Sequence, residues 1–150
     1  MEKRKNIAYK IIASIGMVVT FFVICWDGNV SMGNVDINGK VFNVKIVQTR
    51  EAMQKGLGDE RMLCDNCGML FVFDGSDNYD FWMKDVNFDI DMVWIDNYEV
   101  VDITKNVAHN NQFKIINSKK KADLVLEINS GKIEASDIEI GQNVSVQYFN

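Results

Sequence analysis

Apolar and polar residues alternate in short runs along most of this chain, and Gly, Asn and Asp separate the runs. "VDINGKVFNVKIV", residues 35–47, holds two such runs around Asn38-Gly39. Asn-Gly suits a type I′ hairpin turn, which needs positive φ at both central positions. In the second run Val41, Val44 and Ile46 are apolar while Asn43 and Lys45 are polar, so one face is expected to be buried. "GMLFVF", residues 68–73, is apolar throughout and reads as a strand buried on both faces, ended by the turn residues "DGSDN". From Val86 the apolar residues take the even positions: Val86, Phe88, Ile90, Met92 and Trp94. Asn87, Asp89 and Asp91 lie between them, which predicts a strand with an apolar face and an acidic, solvated one. "VVDIT" continues as its hairpin partner, "ADLVLEIN" alternates again, and "NVSVQYF" reads as a last strand.

Two stretches break the strand pattern. "TREAMQKG" predicts one short helix, with Thr49 as N-cap and Gly56 closing it at positive φ. "SGKIEASDIEIG" has room for one helical turn, and residues 105–121 are polar and irregular. Many short strands with one or two small helices predict a mainly β domain, a sandwich or barrel.

The first 26 residues differ in kind. Lys3, Arg4, Lys5 and Lys10 precede "IIASIGMVVTFFVICW", sixteen residues without a charge. A basic cluster before an apolar run reads as an export signal. Counted back to Ile7, with Lys10 snorkelling, the run is long enough to span a bilayer. No Ala-x-Ala cleavage site follows it, so it is expected to persist as a transmembrane anchor; a cleaved signal is the other reading. The chain thus divides into a signal or anchor over 1–26, a Gly/Asn-rich linker over 27–34, and a β-rich domain over 35–150. The positive-inside rule places that domain outside the cytoplasm, in the cell envelope.

The chain is 47% apolar and 25% charged, with a net charge of −5. That balance argues against nucleic acid as a partner, because such affinity comes from basic residues neutralising phosphates. Lys119-Lys120-Lys121 reads as a solvated loop. His109 is the one histidine and lies in the polar loop "AHNNQ", where it reads as a surface residue without a catalytic role. Cys64 and Cys67 form a lone Cys-x-x-Cys. In an oxidising compartment they are placed to close a local disulfide before "GMLFVF". Two passive thiols, or redox or metal chemistry, are the other readings. Asp85, Asp89, Asp91 and Glu127 offer oxygens, but no loop has the spacing of a calcium cage. No cofactor-binding motif, metal-ligand set or catalytic set is visible. Two sequons begin at Asn29 and Asn143.

The segments "QKGLGDERML", "CGMLFVFD", "FWMKDVNFDIDMVWID", "VVDIT" and "LVLEINSG" resemble, in order and spacing, successive motifs of the domain of unknown function 192 family. The resemblance covers about residues 41–147. It implies a compact, jelly-roll-like β fold, often carried behind a signal peptide or anchor, with no established activity. It places the family's signature on Gly56, Leu57, Gly68–Phe71, Phe81–Lys84, Asp91, Glu127, Gly131 and Gly141. The chain departs from it where the family has Asn-Thr after the Lys, here Asp85-Val86, and Pro two residues before the Asp, here Asp89.

Together these readings point to a membrane-tethered module of the cell envelope, either one that binds a small molecule or envelope ligand or an envelope-accessory module. Its candidate pocket is floored by Trp82 or Met83 and lipped by Lys84 and Asp91, with Glu127 near. The alternative is a hydrolase-type or metal-dependent enzyme using Lys84 and the acidic residues.

Overall fold

The computed structural model describes residues 30–149. The expected anchor over 1–26 lies outside them, and no helix among the described residues is long and apolar enough to cross a membrane. The domain is mainly β. Seven strands, β1 (Val30–Ile37), β2 (Lys40–Val47), β3 (Cys67–Asp77), β4 (Ile90–Asp96), β5 (Glu99–Val107), β6 (Ala122–Asn129) and β7 (Val144–Phe149), form one mixed sheet. Their order across it is β5-β4-β6-β3-β2-β1-β7. Two short helices, α1 (Arg50–Lys55) and α2 (Lys132–Ala135), complete the described elements.

Turn chemistry sets the hairpins. Asn38 and Gly39 take φ of 52° and 80° between β1 and β2. Asn97 and Tyr98 do the same, at 49° and 61°, between β4 and β5. All neighbouring strands are antiparallel except β2 and β3. A parallel pair needs a crossover, and residues 48–66 supply it through α1. The Thr49 side chain accepts the Ala52 N–H at 3.3 Å to start that helix, and Gly56 ends it at φ 49°. The sheet's outer strands meet at one end. Glu99 bridges Asn143, and the Val144 N–H donates to the Tyr98 carbonyl at 2.8 Å.

The sheet buries both faces. One side gathers Val35, Phe42, Val44, Leu70, Val93, Ile95, Leu126 and Ile128, with Ile133 of α2 and Ile138. The other gathers Val47, Met69, Phe71, Ile90, Met92, Trp94 and Val125. Three connections cover this second side: α1 with its following loop through Leu57, residues 78–89 through Met83 and Val86, and residues 108–121 through Ile116. Phe81 and Ile116 exchange backbone hydrogen bonds of 2.8 and 2.9 Å, which joins two of those covers. Gly68 is required by close packing. A Cβ there would stand 2.6 Å from the Glu127 carbonyl oxygen of the neighbouring strand.

Four expectations are corrected. Val41 is exposed, because the buried face of β2 is carried by Phe42, Val44 and Ile46, on the opposite parity. The stretch over 27–34 is strand from Val30 onward, because Met32–Ile37 pair with both β2 and β7. "DGSDN" does not end β3, which runs to Asp77 and resumes pairing with Ala122 after a register shift. The strand expected from Val86 starts only at Ile90. Val86 and Phe88 still pack on the second core, but from a loop. Local alternation cannot separate a strand from a loop that lies against an apolar face.

Candidate functional site

Asp91 falls where alternation breaks from expectation. Ile90, Met92 and Trp94 belong to the second core, and Val93 and Ile95 to the first. Asp91 points with the latter pair and is 0% exposed. The solvated acidic face expected there does not form, because β4 is central and both of its faces are covered. A buried carboxylate needs donors, and two backbone groups supply them. Its Oδ1 accepts the Asn106 N–H at 2.9 Å and its Oδ2 the Ile133 N–H at 2.9 Å. The β4–β5 register shifts between Ile90 and Met92, and Asn106 sits at φ 55° in the bulge. Asp91 therefore takes the N–H that the bulge unpairs, and it also holds the first turn of α2.

The other expected residues scatter. Met83 is core, and Lys84 is exposed on the loop that covers the second face. Lys84 and Asp91 therefore share no lip, which corrects the pocket expected between them. Glu127 lies on β6 with Met69 and Met92 opposite it on the flanking strands. It is 5% exposed, and burial pushes its carboxyl up to about 8, so it is protonated at neutral pH. Of the exposed acids, Asp89 accepts the His109 backbone N–H at 2.9 Å and faces His109 Nδ1 at 2.6 Å. These bonds, the backbone one foremost, hold its carboxyl below the usual carboxylate value. His109, expected without a role, thus fixes the entry to the 108–121 segment. No group of three or more His, Cys, Asp or Glu placed to hold a metal ion occurs among the described residues. Cys64 and Cys67 are paired across their turn with Cα atoms 5.0 Å apart.

Trp82 is the expected residue that does line a concavity. A cleft of about 670 Å³ opens between α1, the outer half of β3 and residues 79–82. Phe71, Phe73, Tyr79, Phe81 and Trp82 form its aromatic wall. The rings hold one another in place. Phe73 stacks on Tyr79 with centroids 3.6 Å apart, and Phe81 meets Phe71 and Trp94 edge-on at 5.0 and 5.4 Å. Trp94 is locked in turn by its Nε1–H, which donates to Thr104 Oγ1 at 3.0 Å. Trp82 remains 46% exposed at the edge. Polar groups ring the apolar wall: Gln48, Arg50 and Gln54 on the α1 side, Asp74 and Asp80 on the other. Burial, then the nearby Asp77, Asp74 and Asp123 carboxylates, raise the Tyr79 hydroxyl above its ordinary value, so it stays protonated as a donor. It bonds the Gly75 carbonyl at 2.6 Å.

Of this wall the sequence placed only Trp82 in a pocket; the family signature fell on Phe71 and Phe81 without joining them to it, and Phe73 and Tyr79 were missed. A signal was present, since "FVFDGSDNYDFW" carries five aromatic residues in twelve. No local pattern marks Gln48, Arg50 and Gln54, which reach the cleft only through the crossover.

A model of the DUF192 family, described as uncharacterized ACR, matches residues 33–146. The chain belongs to the DUF192 family. No curated protein matches it. Among solved structures, this DUF192 domain is similar to a proposed transcription regulator from Sinorhizobium meliloti 1021. The TM-score is 0.73 at 22% identity, over 79% of this chain and 95% of that one. It is also similar to a protein of unknown function from Novosphingobium aromaticivorans DSM 12444. There the TM-score is 0.72 at 25% identity, over 76% and 84% of the two chains. These likenesses establish a shared fold for the DUF192 domain.

Proposed function

We propose that this protein is a membrane-tethered, extracytoplasmic module that binds a small organic ligand in the aromatic cleft. The observation that carries this reading is the half-exposed Trp82 beside a rigid aromatic wall with polar groups at both ends. Binding sites for small molecules commonly combine a concave apolar lining with a few fixed polar groups, at volumes of roughly 300–1,000 Å³. A ligand with a flat or apolar face and a hydrogen-bonding edge suits that lining. The interlocked rings lose little freedom when a ligand arrives, which favours affinity. Tethering and export rest on the basic cluster and uncharged run of residues 1–26. The contact between the sheet's outer strands at Glu99 and Asn143 supports a barrel-like reading of the architecture over two stacked sheets.

The enzyme alternative has less behind it. Asp91 is engaged by backbone donors, Glu127 lies among methionines, and Lys84 is apart from both. The test is a ligand screen on the full chain in neutral detergent, read by melting temperature and tryptophan emission, beside Trp82→Ala. A ligand that stabilises the wild type and not the variant supports the reading. A stabilising ligand indifferent to Trp82 removes the cleft as its site.

A further inference from the structure

The segment 104–121 differs in charge from the rest of the domain. It carries five lysines and no acidic residue, whereas the remainder of residues 30–149 carries seven basic and nineteen acidic residues. Lys105, Lys114, Lys119 and Lys120 form no ion pair among the described residues, while Lys121 approaches Asp77 at 3.6 Å. The root of the segment is pinned. Besides the Phe81–Ile116 bridge, Asp102 accepts the Ser118 hydroxyl at 3.0 Å and the Lys119 N–H at 2.8 Å. The tip projects. Phe113 is 95% exposed and Ile115 51%, with Lys114 between them. Beneath the tip lies a hollow of about 380 Å³ lined by Lys105, Lys114, Asn106, Asn111, Asn117 and apolar groups, without an acidic residue.

We propose that segment 104–121 docks onto an anionic phospholipid bilayer. A headgroup phosphate occupies the hollow between Lys105 and Lys114, and Phe113 and Ile115 enter the acyl boundary. Each part of the pattern has its counterpart there. Lysines near an anionic leaflet each gain about fivefold in favour of the bound state. Aromatic and aliphatic side chains beside lysines are the composition of interfacial anchors. The acidic remainder of the surface is repelled by the same leaflet, so docking also orients the domain, segment inward. Duplex nucleic acid would use the lysines but offers Phe113 no unstacked base, and a single strand, which could stack a base on Phe113, would still be opposed by the acidic remainder.

The test keeps the full chain. Phe113→Cys in a Cys25→Ser background is labelled with a polarity-sensitive dye, and the protein is reconstituted in bilayers of phosphatidylcholine alone or mixed with phosphatidylglycerol. Position 113 is surface-exposed, so labelling it leaves the fold intact. Docking predicts a blue-shifted dye, shielded from an aqueous quencher, in the phosphatidylglycerol bilayers only, with the shielding lost in high salt. Adding Lys105→Ala and Lys114→Ala should lower the docked-to-undocked ratio about 25-fold, at about fivefold for each lysine. Equal quencher access in both lipids overturns the proposal, and so does equal shielding in both. Shielding produced by duplex DNA without lipid, or abolished by millimolar inorganic phosphate while the lysine variants behave as wild type, also overturns it.

Discussion

Glu127 and Asp91 are both buried acids, and the domain resolves them in opposite ways. Asp91 has two backbone donors. Removing them from its reach, as in Asp91→Ala, leaves the Asn106 and Ile133 N–H groups unpaired in the core. The expected loss is about 2–5 kcal/mol of stability by urea unfolding, since stranded polar groups and a cavity add. Glu127 instead keeps its proton. Its pKa rises from an ordinary 4.5 to about 8 on folding. Between those values the folded chain holds a proton that the unfolded chain has released. Stability is therefore full below about 4.5 and falls as pH rises towards 8, by at most about 5 kcal/mol. Glu127→Gln should flatten this dependence, and urea midpoints at pH 5 and pH 8 measure it. A wild-type midpoint that does not fall, or a Gln variant that falls as far, would contradict the burial argument. Neither acid was legible locally. Alternation placed Asp91 on a strand but could not show that the second face was covered too.

At the scale of elements, the sequence was most informative where backbone chemistry is local. Asn38-Gly39, Thr49 and Gly56 do in the structure what their types predict. Thr49→Ala should cost about 1 kcal/mol, the usual loss for an N-cap hydroxyl. It should also loosen the α1 side of the cleft, which a thermal melt with and without ligand can separate. Connections were harder. The 78–89 segment reads as strand from Val86 because apolar residues alternate in it, yet they alternate there to cover Met92 and Trp94 from outside the sheet. The Cys64–Cys67 turn sits just before β3, and Asn129 Nδ2 donates to the Cys64 carbonyl at 2.8 Å. With Cys64 and Cys67 paired, an alkylating reagent should label neither cysteine of the native protein until a reductant is added. Labelling of both without reductant would show that the turn holds without the bond.

For the molecule as a whole, the mainly β class and the family were legible, because both rest on motif order along the chain. The cleft was not, because it is assembled from α1, β3 and residues 79–82, which only the parallel crossover brings together. The proposed topology is also a whole-molecule property. A reporter that works only after export, fused beyond Asn150, should be active, and a strictly cytoplasmic reporter there should be silent. Ligand capture at the aromatic cleft can be read from the melting temperature of the full chain and of Trp82→Ala against a panel of sugars, envelope fragments and metal ions. A ligand at 100 times its Kd stabilises by about 2.7 kcal/mol, well above the noise of a melt. At least one organic ligand should raise the wild-type melting temperature and leave Trp82→Ala unmoved, with the two unliganded proteins melting within a few degrees of each other. A panel that stabilises neither protein, or both alike, would contradict capture at the cleft.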